Sequence, residues 1–270
     1  MNSIHKYILC LLVISAPFFF GFAPSSTKPH TAPSSNSTLK DDSLLTSNFN
    51  RQWQININSG NQGLDHLYTE NAVKVQLGGA VLEGQAKILE YYKTKAYQID
   101  SIVTVHSISA VLDSTTIYEI GRFWTSEKKG YAHLILWREK NGKLLRELEF
   151  MAPLESTENF SAQIDKKRTE WMALCNAHNT KGLVTKFYSE NALYYNHRPM
   201  IIGQEAIIEE YSYMNDPNYK LTLNPTIFER VNTSIAFEIG QCSGSYPGNY
   251  VLVWQKGKDG DWRIFFDSNI

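Results

Sequence analysis

The sequence predicts two related α+β domains in tandem, each a curved antiparallel sheet covered by three helices. The first observation is an internal repeat: Tyr68–Tyr92 recurs at Tyr188–Tyr211, and both copies begin Tyr-x-Glu-Asn-Ala and end Gly-Gln-x-x-Ile-x-Glu-x-Tyr. Their spacing is that of a whole domain rather than of a solenoid repeat. The second observation is that in each half helical patterns precede a run of long strands, which is the α+β order. The chain of 270 residues is long enough for two such domains.

The first residues have the pattern of an export signal. Lys6 supplies positive charge, Tyr7–Phe22 is an apolar core, and Gly21 and Ala23 are the small residues that a signal peptidase reads. We therefore expect residues 1–23 to be a signal peptide and the protein to be exported, to the periplasm or outside the cell. The alternative is that the signal is retained as a membrane anchor.

Two boundaries follow from composition. Residues 24–46 are rich in Ser, Thr and Pro, and such a segment cannot bury enough apolar surface to offset its ordering entropy, so it is predicted to be a flexible linker. Domain 1 is then expected over residues 47–155 and domain 2 over residues 156–270, with the seam near Pro153.

In the predicted domain 1, the first helix places Phe49, Trp53 and Ile57 on one face. Asn141-Gly142 is the strongest hairpin signal between its strands. The predicted elements in order are a helix near Asn48–Asn58, a helix leading to Tyr68, strand Ala72–Leu77, a short return strand ending at Gly84, helix Gln85–Lys95, and strands Gln98–Leu112, Thr115–Ser126, Tyr131–Lys140 and Lys143–Ala152.

Domain 2 repeats this order. Its first helix places Ile164, Trp171 and Cys175 at helical spacing, and the Lys258-Asp259-Gly260 cluster marks its last turn. The predicted elements are helices Ser161–His178 and Lys181–Ser189, strand Ala192–Asn196, a short strand before Gly203, helix Gln204–Met214, and strands Lys220–Arg230, Ser234–Ser243, Asn249–Lys256 and Trp262–Asp267. A strongly curved sheet with helices on one face leaves a cone-shaped cavity, which is where small ligands bind.

Charge and cysteine content exclude several classes of function. The formal net charge is −1 and the chain has no basic run, so it lacks the electrostatic footprint of a nucleic-acid-binding protein. Beyond the signal only Cys175 and Cys242 remain, and they are predicted to be free thiols, with a disulfide as the alternative. The histidines have no metal-ligand spacing, so neither a metal nor a cofactor is expected.

The order of helices, the Tyr-x-x-Asn-Ala strand, the Gly-Gln-x-x-Ile helix and the final Gly-x-Trp-Arg-Ile-x-x-Asp pattern (Gly260–Asp267) resembles the nuclear transport factor 2-like superfamily, and within it the SnoaL-like domains of bacterial proteins. The resemblance covers most of residues 48–270, once per domain. It implies the cone-shaped fold, but this fold is found in isomerases, cyclases, dehydratases and non-catalytic binding modules, so it does not assign one activity.

Ketosteroid isomerase, an enzyme with this fold, provides a test of function. The resemblance places its carboxylate base at Gln76 and Asn196, its tyrosine at Trp53 and Trp171, and its oxyanion-binding aspartate at Ile135 and Leu252. All three types of residue are replaced in both domains. Because an amide cannot accept the proton at neutral pH, a ketosteroid isomerase mechanism is not expected.

Strand alternation places His133 and Trp137 on one face in domain 1, and Tyr250 and Trp254 on one face in domain 2. If these faces point inward, each cavity is lined by amide and aromatic groups that suit a flat or amphipathic molecule. The alternative is that the tryptophans fill the core. The predicted ligand-binding residues are Trp53, Gln76, His133, Trp137, Trp171, Asn196, Tyr250 and Trp254.

Three titratable residues are the remaining candidates for proton transfer. His133 is on a strand face predicted to point inward, but a lone histidine without a carboxylate partner is more often structural. Glu119 and Glu238 occupy equivalent strand positions, each two residues before a glycine, and we expect them on the outer face of the sheet, paired with an arginine.

The sequence therefore favours an exported, non-catalytic protein that binds a small hydrophobic or aromatic molecule in one or both cones. Two alternatives stay open: an isomerase, cyclase or dehydratase acting on a small organic molecule, and an assembly module of the cell envelope. No membrane span is expected after signal removal. The duplication further suggests that the two domains pair within one chain as a pseudo-dimer, with a homodimer as the alternative.

Overall fold

A computed structural model describes residues 36–77, 80–95 and 98–269, with side chains from residue 42 onward. The predicted signal peptide (residues 1–23) and the first part of the predicted linker (residues 24–35) lie outside the described residues. The described chain contains two six-stranded sheets, one in each half of the sequence.

The first sheet and its helices make up domain 1. Its elements are helix α1 (Asn36–Asn58), a 3-10 turn (Leu64–Leu67), strands β1 (Tyr68–Val75) and β2 (Val81–Glu83), helix α2 (Gln85–Lys93), and strands β3 (Ile99–Ser109), β4 (Thr116–Thr125), β5 (Gly130–Lys140) and β6 (Lys143–Pro153).

The second sheet and its helices make up domain 2 and repeat this order. Its elements are helices α3 (Ser161–Asn176) and α4 (Thr180–Phe187), strands β7 (Tyr188–Tyr195) and β8 (Ile201–Ile202), helix α5 (Gln204–Glu210) followed by a 3-10 turn (Tyr211–Asn215), and strands β9 (Leu221–Arg230), β10 (Ile235–Gly244), β11 (Gly248–Lys256) and β12 (Trp262–Asn269).

Both sheets have the same strand order, and both are mixed rather than purely antiparallel as predicted. The orders are β2-β1-β6-β5-β4-β3 and β8-β7-β12-β11-β10-β9. The last strand of each domain pairs in parallel with the strand that opens the repeat, β6 with β1 and β12 with β7. The physical reason is that these strands are far apart in sequence and joined by a crossover rather than by a hairpin, so turn signals could not reveal their direction.

Helix α1 begins at Asn36 rather than near Asn48, so part of the predicted linker is helical. Asp42 and Thr46, inside that segment, are buried. The Asp42 carboxylate accepts hydrogen bonds from the backbone N–H and the hydroxyl of Ser109, at 3.0 and 2.5 Å. The helix is thus extended because its polar side chains bind the edge strand β3, which composition alone could not show.

Each sheet has helices on one face and the other sheet on the opposite face. A shared apolar core joins the two sheets, and within it the Phe150 ring lies 5.6 Å from that of Phe237 and 6.0 Å from that of Phe265, centroid to centroid. The buried residues of this core alternate along their strands and include Val73, Tyr118, Ile120, Leu134, Leu136, Leu148, Leu193, Ile235, Ile239, Val251, Val253 and Phe266. The two domains therefore pair face to face within one chain.

None of the described helices is long and apolar enough to cross a membrane. Cys175 and Cys242 are both free thiols. Burial raises the pKa of each thiol to about 12, so neither is a reactive thiolate at neutral pH.

Candidate functional site

The concave face of the second sheet and its helices enclose a small hollow in domain 2. Its volume is about 30 Å³, which is room for roughly two water molecules. The hollow is lined by Arg168, Trp171, Tyr188, Tyr211, Met214, Leu221, Leu223, Cys242, Tyr250, Leu252, Trp254, Ile264, Asp267 and Asn269. Most of this surface is aromatic or aliphatic, so the few polar groups in it decide its chemistry.

Asp267, on β12, is the carboxyl group of this hollow. It is 5% exposed, and its Oδ2 accepts hydrogen bonds from the hydroxyls of Tyr188 (2.5 Å) and Tyr211 (2.6 Å). Burial raises the pKa of Asp267 to about 6, although the two hydroxyls favour the charged form. The group therefore changes its charge close to neutral pH, whereas an ordinary aspartate does so near 3.9.

The two tyrosines remain neutral hydrogen-bond donors. Burial, together with the charge of Asp267, raises the pKa of both Tyr188 and Tyr211 well above its ordinary value. The sequence predicted cavities lined by amide and aromatic groups, and the carboxyl group of Asp267 corrects that prediction for domain 2.

Glu238 is a second buried carboxylate of domain 2, but its charge is neutralised. Arg168 donates to both of its oxygens at 2.7 Å, and Tyr250 and the indole N–H of Trp254 donate at 2.7 and 2.9 Å. With every oxygen bonded and a guanidinium in place, Glu238 holds α3 and the tryptophan against the sheet. Its predicted place on the outer face is wrong, because Glu238 is 0% exposed on the helix-covered face.

An outer chamber of about 340 Å³ adjoins the hollow. The two spaces share Leu221, Cys242 and Asn269 as walls. The remaining walls of the outer chamber are Tyr194, Asn196, Arg198, Glu210, Tyr213, Tyr219, Tyr246, Pro247, Gly248 and Asn249. The hollow around Asp267 is thus mostly apolar, and the chamber beside it, with which it shares three walls, is lined mainly by tyrosine and amide groups.

In domain 1 the position equivalent to Asp267 is Glu149, and it is surrounded by cations. Lys74 and Arg146 both form ion pairs with it, and Tyr68 and Tyr92 donate hydrogen bonds to it. Burial alone would raise the pKa of Glu149, but the charges of Lys74 and Arg146 hold it well below its usual range. The hollow of domain 1 is thus occupied by a network of buried, ion-paired side chains.

Glu149 and Asp267 differ in pKa because two of the residues beside them differ between the domains. On the paired parallel strand, Lys74 lies beside Glu149, and Tyr194 lies beside Asp267. Opposite the strand tryptophan, Arg146 in domain 1 corresponds to Ile264 in domain 2. Without either cation Asp267 is not neutralised, and this is why its pKa lies near 6 while that of Glu149 is depressed.

Glu119 completes the network of domain 1. It is 0% exposed, and it accepts hydrogen bonds from Asn50 (2.5 Å), Trp137 (2.7 Å) and His133 (3.2 Å). Burial alone would raise the pKa of Glu119, but the hydrogen bond and charge of His133 and the charge of Arg146 lower it. The predicted outer-face position of Glu119 is wrong, and His133 does have a carboxylate partner.

The structure separates the eight predicted ligand-binding residues into two groups. Trp171, Tyr250 and Trp254 line the hollow of domain 2 and Asn196 lines its outer chamber. In domain 1, Trp53, His133 and Trp137 are buried in the charged network, and Gln76 lies half-buried just beyond the end of β1. The domain 2 residues therefore line two adjoining spaces, whereas Trp53, His133 and Trp137 of domain 1 pack as core.

Sequence reasoning missed Asp267 and Glu149, and a β-bulge is the reason. The pairing of β11 with β12 shifts register between Val253 and Trp254, so that Phe265 and Phe266 both face domain 1 and Asp267 turns inward. Strict alternation from Ile264 would have placed Asp267 on the opposite face. The available signal was an acidic residue within the last strand of each domain, Glu149 in domain 1 and, in domain 2, the aspartate of the Gly-x-Trp-Arg-Ile-x-x-Asp pattern.

Among the described residues, no group of three or more His, Cys, Asp or Glu side chains could hold a metal ion. Comparison with protein-family models gives no match, and comparison with curated proteins gives none.

Several solved structures are similar to this chain. One is an NTF-2 like protein of unknown function from Shewanella oneidensis, 14% identical, with a TM-score of 0.37, covering 40% of this chain and 97% of its own. Another is a ketosteroid isomerase-like protein from Erwinia carotovora, 14% identical, with a TM-score of 0.33 and coverages of 40% and 95%. A protein from Catenulispora acidiphila in complex with S-DNPA is 13% identical, with a TM-score of 0.34 and coverages of 40% and 92%.

These likenesses concern the fold and carry no activity to this chain. With two curved, six-stranded mixed sheets, each covered by its own helices, the chain has the architecture of two tandem nuclear transport factor 2-like domains.

Proposed function

We propose that domain 2 binds a small amphipathic molecule, of the size of a substituted phenyl ring, which enters through the outer chamber and places a hydroxyl group against Asp267. The observation that supports this is the carboxyl group of Asp267, which has no ion-pair partner, in a hollow lined mostly by aromatic and aliphatic side chains. A buried charge without an ionic partner lowers stability, and natural proteins tolerate such a cost where function needs it. Domain 1, whose hollow is filled, serves as the packing partner.

The residues that line the hollow and the outer chamber determine which chemical groups a ligand can present. In the outer chamber Tyr194, Tyr213 and Tyr219 offer aromatic contacts to a flat ring, and the small hollow beyond it has room for the hydroxyl group. Asp267 is mostly a carboxylate at pH 7 because its pKa is about 6, so it accepts a hydrogen bond from a ligand hydroxyl. Charged acceptors form stronger hydrogen bonds than neutral ones, and the affinity for a phenol is therefore expected to rise as the pH increases through 6.

The test is a titration of the full chain with 4-isopropylphenol, whose own hydroxyl stays neutral below pH 9, followed by ligand-observed NMR at pH 5 and pH 7.5. We expect the affinity to be about fivefold higher at pH 7.5, since a hydrogen bond to a charged group is worth about 1 kcal/mol more than a neutral one. Asp267→Asn should bind equally at both pH values, and the surface variant Asp216→Asn should behave as the unmodified protein. Absence of binding, or a pH profile that survives Asp267→Asn, would contradict the proposal.

The same carboxyl group supports a second candidate, proton transfer on a bound carbonyl compound. A general base works best with a pKa near the operating pH, and Asp267 fulfils this at about 6. The test is incorporation of deuterium into the methyl group of acetophenone, which has no hydroxyl group to take the place beside Asp267, in D₂O, measured by NMR. If the protein is a catalyst, exchange is faster than in buffer and the rate returns to that of buffer in Asp267→Asn. Identical rates with and without the protein would leave binding as the function.

Export is proposed on the sequence of residues 1–23 alone, because this segment lies outside the described residues. A small ligand taken up outside the cytoplasm would fit a chain with this signal.

A further inference from the structure

Glu210, the last residue of α5, is a carboxylate at the wall of the outer chamber of domain 2. It is half-buried, and it forms no ion pair within the part of the chain that the structure describes. Its one side-chain contact there is a long hydrogen bond of 3.4 Å, which the amide Nδ2 of Asn196 donates to Oε1. The negative charge of Glu210 is therefore not neutralised by the protein.

The position of Glu210 relative to Asp267 follows from the strands beside it. Tyr194 lies beside Asp267 in the parallel pair of β7 and β12, and Asn196 follows two residues later. At about 3.3 Å per residue, Asn196 lies roughly 7 Å further along the strand direction than Asp267. Burial raises the pKa of the Tyr194 hydroxyl, and the charge of Asp267 and, less strongly, that of Glu210 raise it further. The two carboxyl groups are thus near the same tyrosine, with Glu210 on its outer side.

Three further tyrosines of the outer chamber form a cluster of rings. The centroid of Tyr213 lies 5.5 Å from that of Tyr219 and 5.2 Å from that of Tyr246, and the last two are 6.0 Å apart. All three line the same chamber as Glu210. Because the face of an aromatic ring carries negative potential, clustered rings attract a cation such as an ammonium group. An aromatic cluster and an unpaired carboxylate in one chamber therefore favour the same kind of ligand group.

Arg198, on the loop between β7 and β8, is the one cation among the described walls of the chamber. Its side chain is exposed, so its charge is screened by water and salt. Glu210 is half-buried and Asp267 is buried, and charges that are less exposed to water act more strongly on a bound ligand. At neutral pH we therefore expect a negative potential inside the chamber.

We propose that domain 2 binds phenols that carry a cationic amino group at the end opposite to the hydroxyl, and that Glu210 pairs with this group beside the tyrosine cluster. The inference rests on the proposed function, which concerns only the hydroxyl end of the ligand. It narrows the class of ligand to arylalkylamines. In such a molecule the aromatic ring lies between the two polar ends, as Tyr194 lies between the two carboxyl groups.

The experiment compares three ligands of the same shape on the full chain at pH 7.5, by ligand-observed NMR. Tyramine, 4-propylphenol and 3-(4-hydroxyphenyl)propionate share a phenol and a two-carbon arm, which ends in a cation, a methyl group and an anion respectively. We expect tyramine to bind about fivefold more tightly than 4-propylphenol, the combined effect of one partly exposed ion pair and one cation–π contact. The propionate should bind most weakly. Tightest binding of the propionate would show that Arg198 governs the chamber, and would overturn the inference.

Variants at two positions test which groups hold the amine. The measured quantity is the ratio of the dissociation constants of 4-propylphenol and tyramine, in which effects common to both ligands cancel. Glu210→Gln keeps an acceptor for Asn196 but removes the charge, and the ratio should fall from about five to about two. The matched control Glu209→Gln changes the preceding, exposed residue of α5 and should retain the ratio. Tyr246→Leu should lower the ratio, whereas Tyr246→Phe keeps the ring and should retain it.

The outcomes separate this inference from the proposed function. If 4-isopropylphenol shows the pH profile set by Asp267 but the ratio is about one or survives Glu210→Gln, the inference is overturned and the proposed function stands. If the ratio depends on Glu210 but the pH profile is absent, the amine site stands and the hydroxyl site fails. If the ratio is lost in Asp267→Asn and kept in Glu210→Gln, the amine lies against Asp267 and both proposals are wrong. If none of the ligands binds to the unmodified protein, both fail.

Discussion

Replacing Asp267 by asparagine should stabilise the protein at neutral pH and have little effect in acid. The pKa of Asp267 is raised from its ordinary 3.8 to about 6. Below about pH 3 the carboxyl is mostly neutral in the folded and the unfolded chain. As the pH rises towards 6 the unfolded chain releases the proton while the folded chain retains it, so the free energy of unfolding decreases until the folded carboxyl is ionised as well.

The size of this effect follows from the pKa difference. A difference of roughly two units corresponds to about 3 kcal/mol at 25 °C, a substantial fraction of the stability of a typical domain. Asparagine is neutral at every pH and keeps an oxygen that can accept the hydrogen bonds of Tyr188 and Tyr211. The free energy of unfolding of Asp267→Asn minus that of the unmodified protein should therefore increase by about 2.5 kcal/mol between pH 4 and pH 8.

Urea denaturation monitored by tryptophan fluorescence, at intervals from pH 4 to pH 8, measures this difference. All other titrating groups are common to both proteins, so their contributions cancel. Trp171 and Trp254 lie in the same hollow, and they report on the unfolding of domain 2. A difference that stays flat between pH 4 and pH 8 would show that the carboxyl is not buried as described, and the argument from Asp267 to ligand binding would then lose its basis.

Glu149→Gln in domain 1 is the matched control. We expect it to lower the free energy of unfolding at neutral pH, whereas Asp267→Asn raises it. The pKa of Glu149 is held well below its usual range by Lys74 and Arg146, so its contribution to stability is present above the unfolded pKa and is lost as the pH falls. At pH 7 this variant leaves two buried cations without their partner, which costs about 3–5 kcal/mol. A stabilised Glu149→Gln at pH 7 would contradict the assignment of the two carboxyl groups.

Three further predictions concern packing, assembly and processing. Gly121→Ala should lower the free energy of unfolding by about 1–3 kcal/mol, because the added Cβ would lie 2.1 Å from Nε2 of His133 and 2.8 Å from the carbonyl oxygen of Val103. An unchanged urea midpoint would refute this close packing. Light scattering should give the mass of one chain, since the open face of each sheet is already covered by the other sheet, and a stable dimer would contradict this. Mass spectrometry of the exported protein should show Pro24 as its first residue, whereas a retained signal would give the full mass.

The fold could be predicted from the sequence because the internal repeat shows the same order of predicted helices and strands twice. Each long strand and the helix α2 were found within a few residues of their predicted bounds. The second predicted helix of domain 1 is only a 3-10 turn at Leu64–Leu67, because Gly60 and Gly63, both with positive φ, leave too few residues for a helix to continue. Parallel pairing of first and last strands depends on contacts distant in sequence, for which local patterns hold no information.

The site was less predictable, because both faces of its strands are buried and because β-bulges shift two of the acidic residues. Glu119 and Glu238 lie on strands whose two faces are both buried, one by helices and one by the other sheet. With no solvent-exposed face, alternation cannot distinguish the inner from the outer side. The register shifts in β6 and β12 then move Glu149 and Asp267 to the concave face, and a bulge of this kind leaves no clear trace in a single sequence.

The two domains have the same fold, but the buried acidic residue is neutralised in domain 1 and not in domain 2, because a few neighbouring residues differ. Both retain an acidic residue at the same place on the last strand and two tyrosines that donate to it. Where Lys74 and Arg146 accompany the acid, the charge is neutralised and the hollow is filled; where Tyr194 and Ile264 take their places, the acid is left without a cation beside a cavity. A chain selected only for stability would gain from the same cations in domain 2, or from an apolar residue at position 267. This isolated carboxyl beside the outer chamber is the reason for our proposal that domain 2 binds a ligand.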